Sequence, residues 1–238
     1  MANMTADLQI RLDEVKNLST VVADRLAELI QTGGLKPGHR LVQNELAARF
    51  GVSRVAIRDA LLKLLKRGLA VDTPSRGMIV RLVSAQTIQD LFAVRRVLES
   101  LAVREACVRL TAADLRQVEA VLEEQETLAG KGDIDAVLTK DWLFHQSIYR
   151  HCGNAELLEL IAGLWSRIQQ ARGLARENLS WGRQWARQSV RRHRKILAAL
   201  ANRDAQRAAT CTEEAIQRAL EELLAGIEEP GTGTEADR

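Results

Sequence analysis

The segment from Gly51 to Val71 constrains the fold more than any other, because GVSRVAIRDALLKLLKRGLAV places a helix directly behind a tight break. A short helical stretch, VQNELAARF, precedes it and ends at the tripeptide GVS. Ser53 is a suitable N-cap for the second helix. The helical period up to Gly68 turns six apolar side chains inward, namely Val55, Ile57, Ala60, Leu61, Leu64 and Leu65. Two short helices joined by a turn predict a helix-turn-helix.

The flanking segments complete a small domain around these two helices. Residues 18–32, LSTVVADRLAELIQT, repeat apolar side chains at helical spacing and predict one more helix. After Gly68, the pieces LAVDT and MIVRLV are joined by PSRG and predict a hairpin. We therefore expect residues 1–83 to form one domain of three helices and a hairpin.

Positive charge is concentrated in this first domain. The chain has a net charge of +3, yet residues 36–81 hold ten Lys or Arg against three Asp or Glu, a local charge of +7. Such a segment suits a polyanion. Arg54 and Arg58 share one helical face, and an arginine can bond the O6 and N7 atoms of guanine. Arg76 at the hairpin tip is placed for a phosphate or the minor groove. An arginine-rich helix can also be merely a solvated face, but the basic-tipped hairpin beside it favours DNA.

The basic residues at the end of the same helix suit a different purpose. Lys63, Lys66 and Arg67 follow the apolar stripe at its C-terminal end. Positive charge there complements the helix dipole and attracts phosphate. We therefore assign base contacts to the front of the helix only.

From Ser84 onward the sequence is helical, which predicts a mainly α protein. Only 3% of residues are aromatic, and no internal repeat is evident. The breaks in apolar periodicity separate helices over 85–110, 112–130, 133–151, 154–178, 186–202 and 204–228. We expect residues 84–229 to form an all-α antiparallel helical bundle, and 230–238 a disordered tail. Trp181 and Trp185 flank a break at SWGRQW and are expected to close the core around a loop or to form a pocket rim.

Neither a membrane span nor a signal peptide is expected. No run approaches the roughly 18 apolar residues of a spanning helix, and the N-terminus, MANMTADLQIRLDEVK, lacks an apolar run. We expect a cytoplasmic protein with no membrane partner. The cysteines Cys107, Cys152 and Cys211 are odd in number and far apart, so we expect reduced packing thiols.

Four polar residues fall on the inward stripes of the second domain. Arg95 needs a partner there, either Glu99 one turn away or the carboxylate of a ligand. Asp141 and His145 are four residues apart, a spacing that suits either a metal or a hydrogen-bonded structural pair. His193 falls on the same stripe as neighbouring leucines of its own helix.

The first domain resembles the winged helix-turn-helix of the GntR family of bacterial transcription regulators. The resemblance covers GLKPGHRLVQNELAARFGVSRVAIRDALLKLLKRGLAVDTPSRGMIV. Ala56 stands where many relatives have proline, and Val55 where they often have a hydroxyl, so we expect an apolar contact from Val55. The resemblance implies contacts with double-stranded operator DNA from Asn44, Ser53, Arg54, Arg58, Arg76 and Gly77.

The second domain resembles the FCD domain, the helical effector domain of the FadR-like branch of that family. The resemblance rests on RRVLES, DWLFHQSIYRHCGN and RRHRKILAALANRDAQRAA. It implies that Asp141, His145 and His193 hold a divalent metal such as zinc or nickel. It also implies a small carboxylate effector, for which Arg95 is the candidate contact. A fourth ligand is expected 22 residues after His193, but that position is Ala215.

The missing ligand leaves two alternatives open. Three ligands can still bind a metal if water or an effector carboxylate fills the vacancy. Glu214 substitutes only if the helix register differs, and Arg192 replaces an acid that commonly precedes the histidine. The alternative keeps the three residues as a polar network on a pocket floor without metal.

We conclude that the sequence predicts a homodimeric, DNA-binding transcription regulator, most often a repressor, and not an enzyme. The contrasting hypothesis is a metal-dependent enzyme built on Asp141, His145 and His193, with the basic domain as a nucleic-acid-binding or targeting appendage. No nucleophile or general base beside that set supports it.

Overall fold

The computed structural model describes residues 18–175 and 178–228. The chain divides into two compact units, of which the first comprises residues up to Val83 together with Ser166–Gly173. The second comprises Ser84–Trp165 and the chain from Leu174 onward. The tail predicted at 230–238 lies outside the described residues.

The first unit has the predicted order of elements. Helix α1 spans residues 18–31, and the remaining elements are α2 (Gln43–Phe50), α3 (Arg54–Lys66), β1 (Ala70–Thr73) and β2 (Gly77–Val80). Its core is made by one face of α1, the inner face of α3 and the hairpin, with Leu26, Ile30, Leu61 and Leu64 almost wholly buried. The helix-turn-helix and the hairpin are therefore confirmed.

Local chemistry explains the sharp turn between α2 and α3. Gly51 ends α2 in the left-handed region at φ 65°, a conformation that costs other residues a Cβ clash, and its N–H donates to Ala47 O. The Oγ of Ser53 then accepts the N–H of Ala56 at 3.2 Å and caps α3. Two of the predicted core positions are wrong, because Val55 and Leu65 are exposed. Leu65 lies at the edge of the apolar stripe, where periodicity alone does not fix burial, whereas Val55, two residues before Ile57, lies on the opposite side of the helix.

The hairpin is short and antiparallel. Its register pairs Ala70 with Val80 and Thr73 with Gly77. Gly77 has φ 66°, and the hydroxyl of Thr73 donates to its carbonyl oxygen at 2.9 Å. The tip therefore projects the intervening residues, including Arg76, into solvent.

The second unit consists of helices. They are α4 (Ala85–Cys107), α5 (Ala112–Lys131), α6 (Ile134–Tyr149), α7 (Ala155–Leu174), α8 (Leu179–Ala201) and α9 (Ala205–Glu228). One of them, α7, also contributes its residues Ser166–Gly173 to the first unit. Helix α4 packs on α9, α9 on α8, and α5 on both α6 and α8. The mainly α class of fold is confirmed.

The predicted break around Trp181 and Trp185 is wrong. Helix α8 begins at Leu179, capped by Asn178, whose Oδ1 accepts the N–H of Trp181 at 3.0 Å. Both indoles therefore lie on α8, where they are buried and stack with centroids 6.0 Å apart. Gly182 suggested a break, but burial of the two indoles outweighs the modest cost of one helical glycine.

Two smaller expectations concern the thiols and the membrane. Cys107, Cys152 and Cys211 are free and buried, as predicted. Among the described residues, no helix is long and apolar enough to cross a membrane.

Candidate functional site

The exposed start of α3 presents the predicted DNA contacts. The side chains of Arg54 and Arg58 are exposed, and Arg58 makes only a long ion pair of 3.6 Å with the adjacent Asp59. Asn44 on α2 is exposed as well. Because the oxygen of Ser53 already accepts a backbone N–H, its hydroxyl proton is what it can offer to a phosphate.

The hairpin carries the other two predicted DNA contacts. Arg76 and Gly77 are exposed at its tip. The Nε of Arg40 donates to the carbonyl oxygen of Arg76 at 3.2 Å and holds the tip's backbone. The Arg76 side chain is thus carried on a braced loop.

The far end of α3 has a structural role that the sequence did not reveal. Lys63 Nζ donates to the hydroxyls of Ser19 and Thr20 at 2.9 and 2.5 Å. Arg67 similarly reaches a carboxylate of α1 at 2.5 Å. These two cations therefore fasten α3 to α1, their attraction of phosphate stays a prediction, and Lys66 is the exposed one of the three.

In the second unit, α6 and α8 bring three potential metal ligands together. Asp141, His145 and His193 are almost wholly buried, and one donor atom of each lies within 4.8 Å of the others. The Nε2 atoms of the two histidines are 3.1 Å apart, and His193 Nε2 is 3.3 Å from Asp141 Oδ1. The ring of Phe144 stacks on His193 with centroids 4.0 Å apart. The cluster is thus held rigidly in the core.

The hydrogen bonds around His193 determine which of its nitrogens carries the proton. Its Nδ1 lies 2.8 Å from Oε1 of Gln125 on α5, and a carbonyl oxygen can only accept. The Nε2 of Gln125 donates to Ser189 Oγ at 3.5 Å, and Ser189 donates to Asp141 Oδ1 at 2.8 Å. His193 therefore carries its proton on Nδ1 and turns a lone pair at Nε2 toward His145.

A second chain of hydrogen bonds gives His145 the same tautomer. Tyr149 donates its only proton to Glu99 Oε2 at 2.6 Å, so its oxygen must accept from His145 Nδ1 at 2.9 Å. Burial, followed by the negative charge of Glu99, raises the pKa of Tyr149 well above its usual value, and the hydroxyl keeps its proton. His145 therefore also presents a lone pair at Nε2.

These tautomers place like groups face to face. The Nε2 atoms of both imidazoles and a carboxylate oxygen converge within hydrogen-bond distance, and such a set of acceptors attracts a cation. A shared proton or a metal ion satisfies it. One carboxylate and two imidazoles are a donor set that suits zinc or nickel.

The chain of hydrogen bonds continues from Glu99 to Arg95 on α4. Arg95 Nε donates to Glu99 Oε1 at 2.6 Å, and both side chains are buried. Burial lowers the pKa of Arg95, but the charge and hydrogen bond of Glu99 outweigh it, so the net shift is upward and the guanidinium stays charged. Its Cζ lies 4.3 Å from the ring centroid of Trp165 and 5.1 Å from that of Phe92. The sequence left two partners possible for Arg95, Glu99 or the carboxylate of a ligand, and the structure pairs it with Glu99.

Arg95 keeps one donor unused. Its Nη1 is buried and has no hydrogen-bond partner among the described residues. A buried donor without a partner costs about 1–3 kcal/mol. The arginine is thus set up to donate to a further acceptor.

The position expected for a fourth ligand contributes none. Ala215 is 8% exposed and packs in the hydrophobic core of the unit. Glu214 is exposed and lies outside the three-residue cluster, so it does not substitute. Arg192 forms a two-pronged ion pair with Glu222 at 2.7 and 3.0 Å.

Several residues of this centre were not singled out from the sequence. Gln125, Ser189 and Tyr149 come from three different helices, and no local pattern links them. Their one signal in the sequence is a polar residue on an apolar stripe. Gln125 shows this signal, because it follows Val118 and Leu122 at helical spacing on the buried face of α5.

Two family models match the chain. The model of the FCD domain matches residues 90–218, and that of the bacterial regulatory proteins of the gntR family matches residues 18–80. The chain is 33% identical to the Nta operon transcriptional regulator of Aminobacter aminovorans, over 79% of this chain and 86% of the relative. It is 28% identical to the HTH-type transcriptional regulator McbR of Escherichia coli strain K12, over 85% and 90%. The solved structure of E. coli McbR/YncC superposes with a TM-score of 0.76, at 28% identity, over 87% of this chain and 97% of that one.

Proposed function

The chain belongs to the gntR family of bacterial regulatory proteins and carries an FCD domain, and from that premise we propose which residues read DNA and which sense a signal. It is a DNA-binding transcription regulator. The assignments below are supported by the exposed front of α3, the hairpin tip and the buried centre of the second unit.

The DNA-reading residues proposed are those at the start of α3, with support from α2 and the hairpin. Arg54 and Arg58 reach base edges in the major groove, while the hairpin tip contacts the backbone or the minor groove. One short helix reads too few bases for a specific site, so the protein acts as a homodimer on a two-fold symmetric operator. Its regulatory effect is repression. The contacts are Asn44, Ser53, Arg54, Arg58, Arg76 and Gly77.

The sensing centre proposed is the cluster of Asp141, His145 and His193, which holds one divalent cation such as zinc or nickel. The convergence of one donor atom from each of these three buried side chains, all within 4.8 Å of one another, carries this proposal. A bound cation supplies a Lewis-acidic position for an anionic oxygen. The vacancy at Ala215 leaves a coordination position for a small carboxylate effector.

Arg95 is the second contact proposed for that carboxylate. Its unused Nη1 donates to the second oxygen, and Glu99 keeps the guanidinium in place. The effector then shifts the equilibrium between DNA-competent and incompetent states by its different affinity for the two.

The same centre argues against an enzyme. Ser189 donates its hydroxyl proton to Asp141 and not to an imidazole, so the serine–histidine pair of a hydrolase is not formed there. We propose a binding function only. We also propose a cytoplasmic location, because operator DNA lies on the bacterial chromosome.

The DNA assignment is tested by Arg54→Ala on a sequence selected in vitro by the wild-type protein. Losing one bidentate contact costs about 1–3 kcal/mol, which is roughly a 5- to 150-fold loss of affinity. Arg116→Ala, which removes an exposed arginine from α5, serves as the matched control. Fluorescence anisotropy measures both, and equal affinity of the two variants would refute the assignment.

The metal assignment is tested by equilibrium dialysis against zinc and nickel, followed by elemental analysis. We expect one ion per chain in the wild type and a large loss in His145→Ala and His193→Ala. His39→Ala is the matched control, because His39 is exposed and lies in the first unit. If the wild type binds no ion after loading, the cluster is a proton-linked polar network instead.

A further inference from the structure

Helix α4 carries an apolar stripe on its solvent-facing side. Val94, Val97 and Val108 are 49%, 66% and 71% exposed, and Leu101 between them is only partly buried. The opposite side of α4 contains Arg95 and Glu99 and packs against the rest of the unit. Exposed valines at this density on one helix need a partner to cover them.

The stripe is continuous and has a defined centre. Residues at three- and four-residue spacing share one helical face, so positions 90, 94, 97, 101 and 104 form a single row, and Val108 follows it just after the end of α4. Val97 lies at the middle of the row between Asp90 and Arg104, each seven residues away. At a rise of about 1.5 Å per residue, each charge lies about 10 Å from Val97.

The two charges are exposed and of opposite sign. Asp90 accepts one bond from Gln86 Nε2 at 2.8 Å, and its carboxylate remains at the surface. Arg104 makes no hydrogen bond or ion pair with any described residue. A row with an acid at one end, a base at the other and valine at the centre is complementary to itself when reversed.

We propose that a second copy of the chain docks on this stripe in antiparallel orientation, with the two-fold axis passing beside Val97. This places Asp90 against the partner's Arg104 and Val94 against the partner's Leu101, each pair occurring twice. The inference rests on the proposed homodimer and specifies its interface.

Charge decides between a second copy and the other arrangements. A parallel pair would set Asp90 against its own copy and Arg104 against its own copy, and like charges in an interface are unfavourable. An unrelated partner would need no symmetry of charge about Val97. The antiparallel pair alone matches apolar to apolar and acid to base along the whole row.

The first test is Val97→Glu, which puts two carboxylates together at the axis. We expect the dimer measured by sedimentation equilibrium to weaken at least on the order of 100-fold, with an unchanged circular dichroism spectrum. Val21→Glu is the matched control, since Val21 is a similarly exposed valine on α1. If Val97→Glu dimerises as tightly as the control, the proposed interface is wrong.

The second test reverses the charges. Asp90→Arg and Arg104→Asp each create two like-charge pairs and should weaken the dimer, whereas the double variant restores opposite charges and should recover it. Failure of the double variant to recover would overturn the antiparallel register. If the Val97→Glu protein remains dimeric and binds the selected DNA, the proposed interface is wrong but the proposed function still holds. A monomeric wild type would contradict both.

Discussion

Removal of one oxygen atom from the core tests the hydrogen-bond chain that joins α4 to α6. Tyr149→Phe deletes the hydroxyl that donates to Glu99 Oε2 and accepts from His145 Nδ1, at 2.6 and 2.9 Å. Both partners are buried, so neither finds water as a replacement. Each unsatisfied buried group costs about 1–3 kcal/mol, and a charged carboxylate costs more. We expect the free energy of unfolding to fall by about 3–5 kcal/mol, and the melting temperature by about 10 °C.

Tryptophan fluorescence during urea unfolding provides the assay. All four tryptophans lie between residues 142 and 185, so their emission reports largely on the helical unit. Ser147→Ala on the same helix is the matched control, because its hydroxyl donates only to Phe144 O of its own helix at 2.7 Å. If Tyr149→Phe lowers the free energy of unfolding by less than about 1 kcal/mol, the usual contribution of one hydrogen bond, the assigned chain of hydrogen bonds is refuted.

Three further predictions concern single residues. Tyr149 is the only tyrosine, and its pKa is raised in the folded protein. Its contribution to the free energy of unfolding is therefore complete below the ordinary pKa of about 10 and is lost as the pH rises above that value. Tyrosinate absorbance should appear only as the protein unfolds. Gly226→Ala places a Cβ against the indole ring of Trp181 and should cost about 1–3 kcal/mol. Gly130→Ala, where an added Cβ meets nothing within 4 Å, should gain about 0.4–1 kcal/mol. Ser53→Ala removes the cap of α3 and should destabilise the first unit by about 1 kcal/mol in thermal unfolding.

Local rules were sufficient for the first unit. The turn at Gly51 and the cap at Ser53 depend on residues within a few positions of each other, and the structure has both as predicted. The error at Leu65, at the edge of the apolar stripe, concerns burial, which depends on what packs alongside, whereas Val55 was assigned to the wrong face of the helix. Lys63 is a third case, since its partners lie 43 and 44 residues earlier.

The predicted break at Trp181 and Trp185 failed for a similar reason. Glycine and serine in SWGRQW weaken a helix locally, but the indoles stabilise it through burial within the bundle. Helix propensity and apolar spacing depend only on residues that are close in the sequence, so they do not include the stabilisation that the two indoles gain from tertiary packing.

The sequence by itself determined the class of fold, the helix-turn-helix with its basic face, and the candidate set of Asp141, His145 and His193. The fold class and the helix-turn-helix follow from periodicity, capping and composition, which act over one or two helical turns, whereas the set of three ligands follows from the resemblance to the FCD domain. Only the tertiary structure decided which nitrogens of the two histidines carry protons, because Gln125 and Glu99 reach the centre from helices distant in the chain. Long-range packing sets those contacts, and spacing along one helix does not encode them.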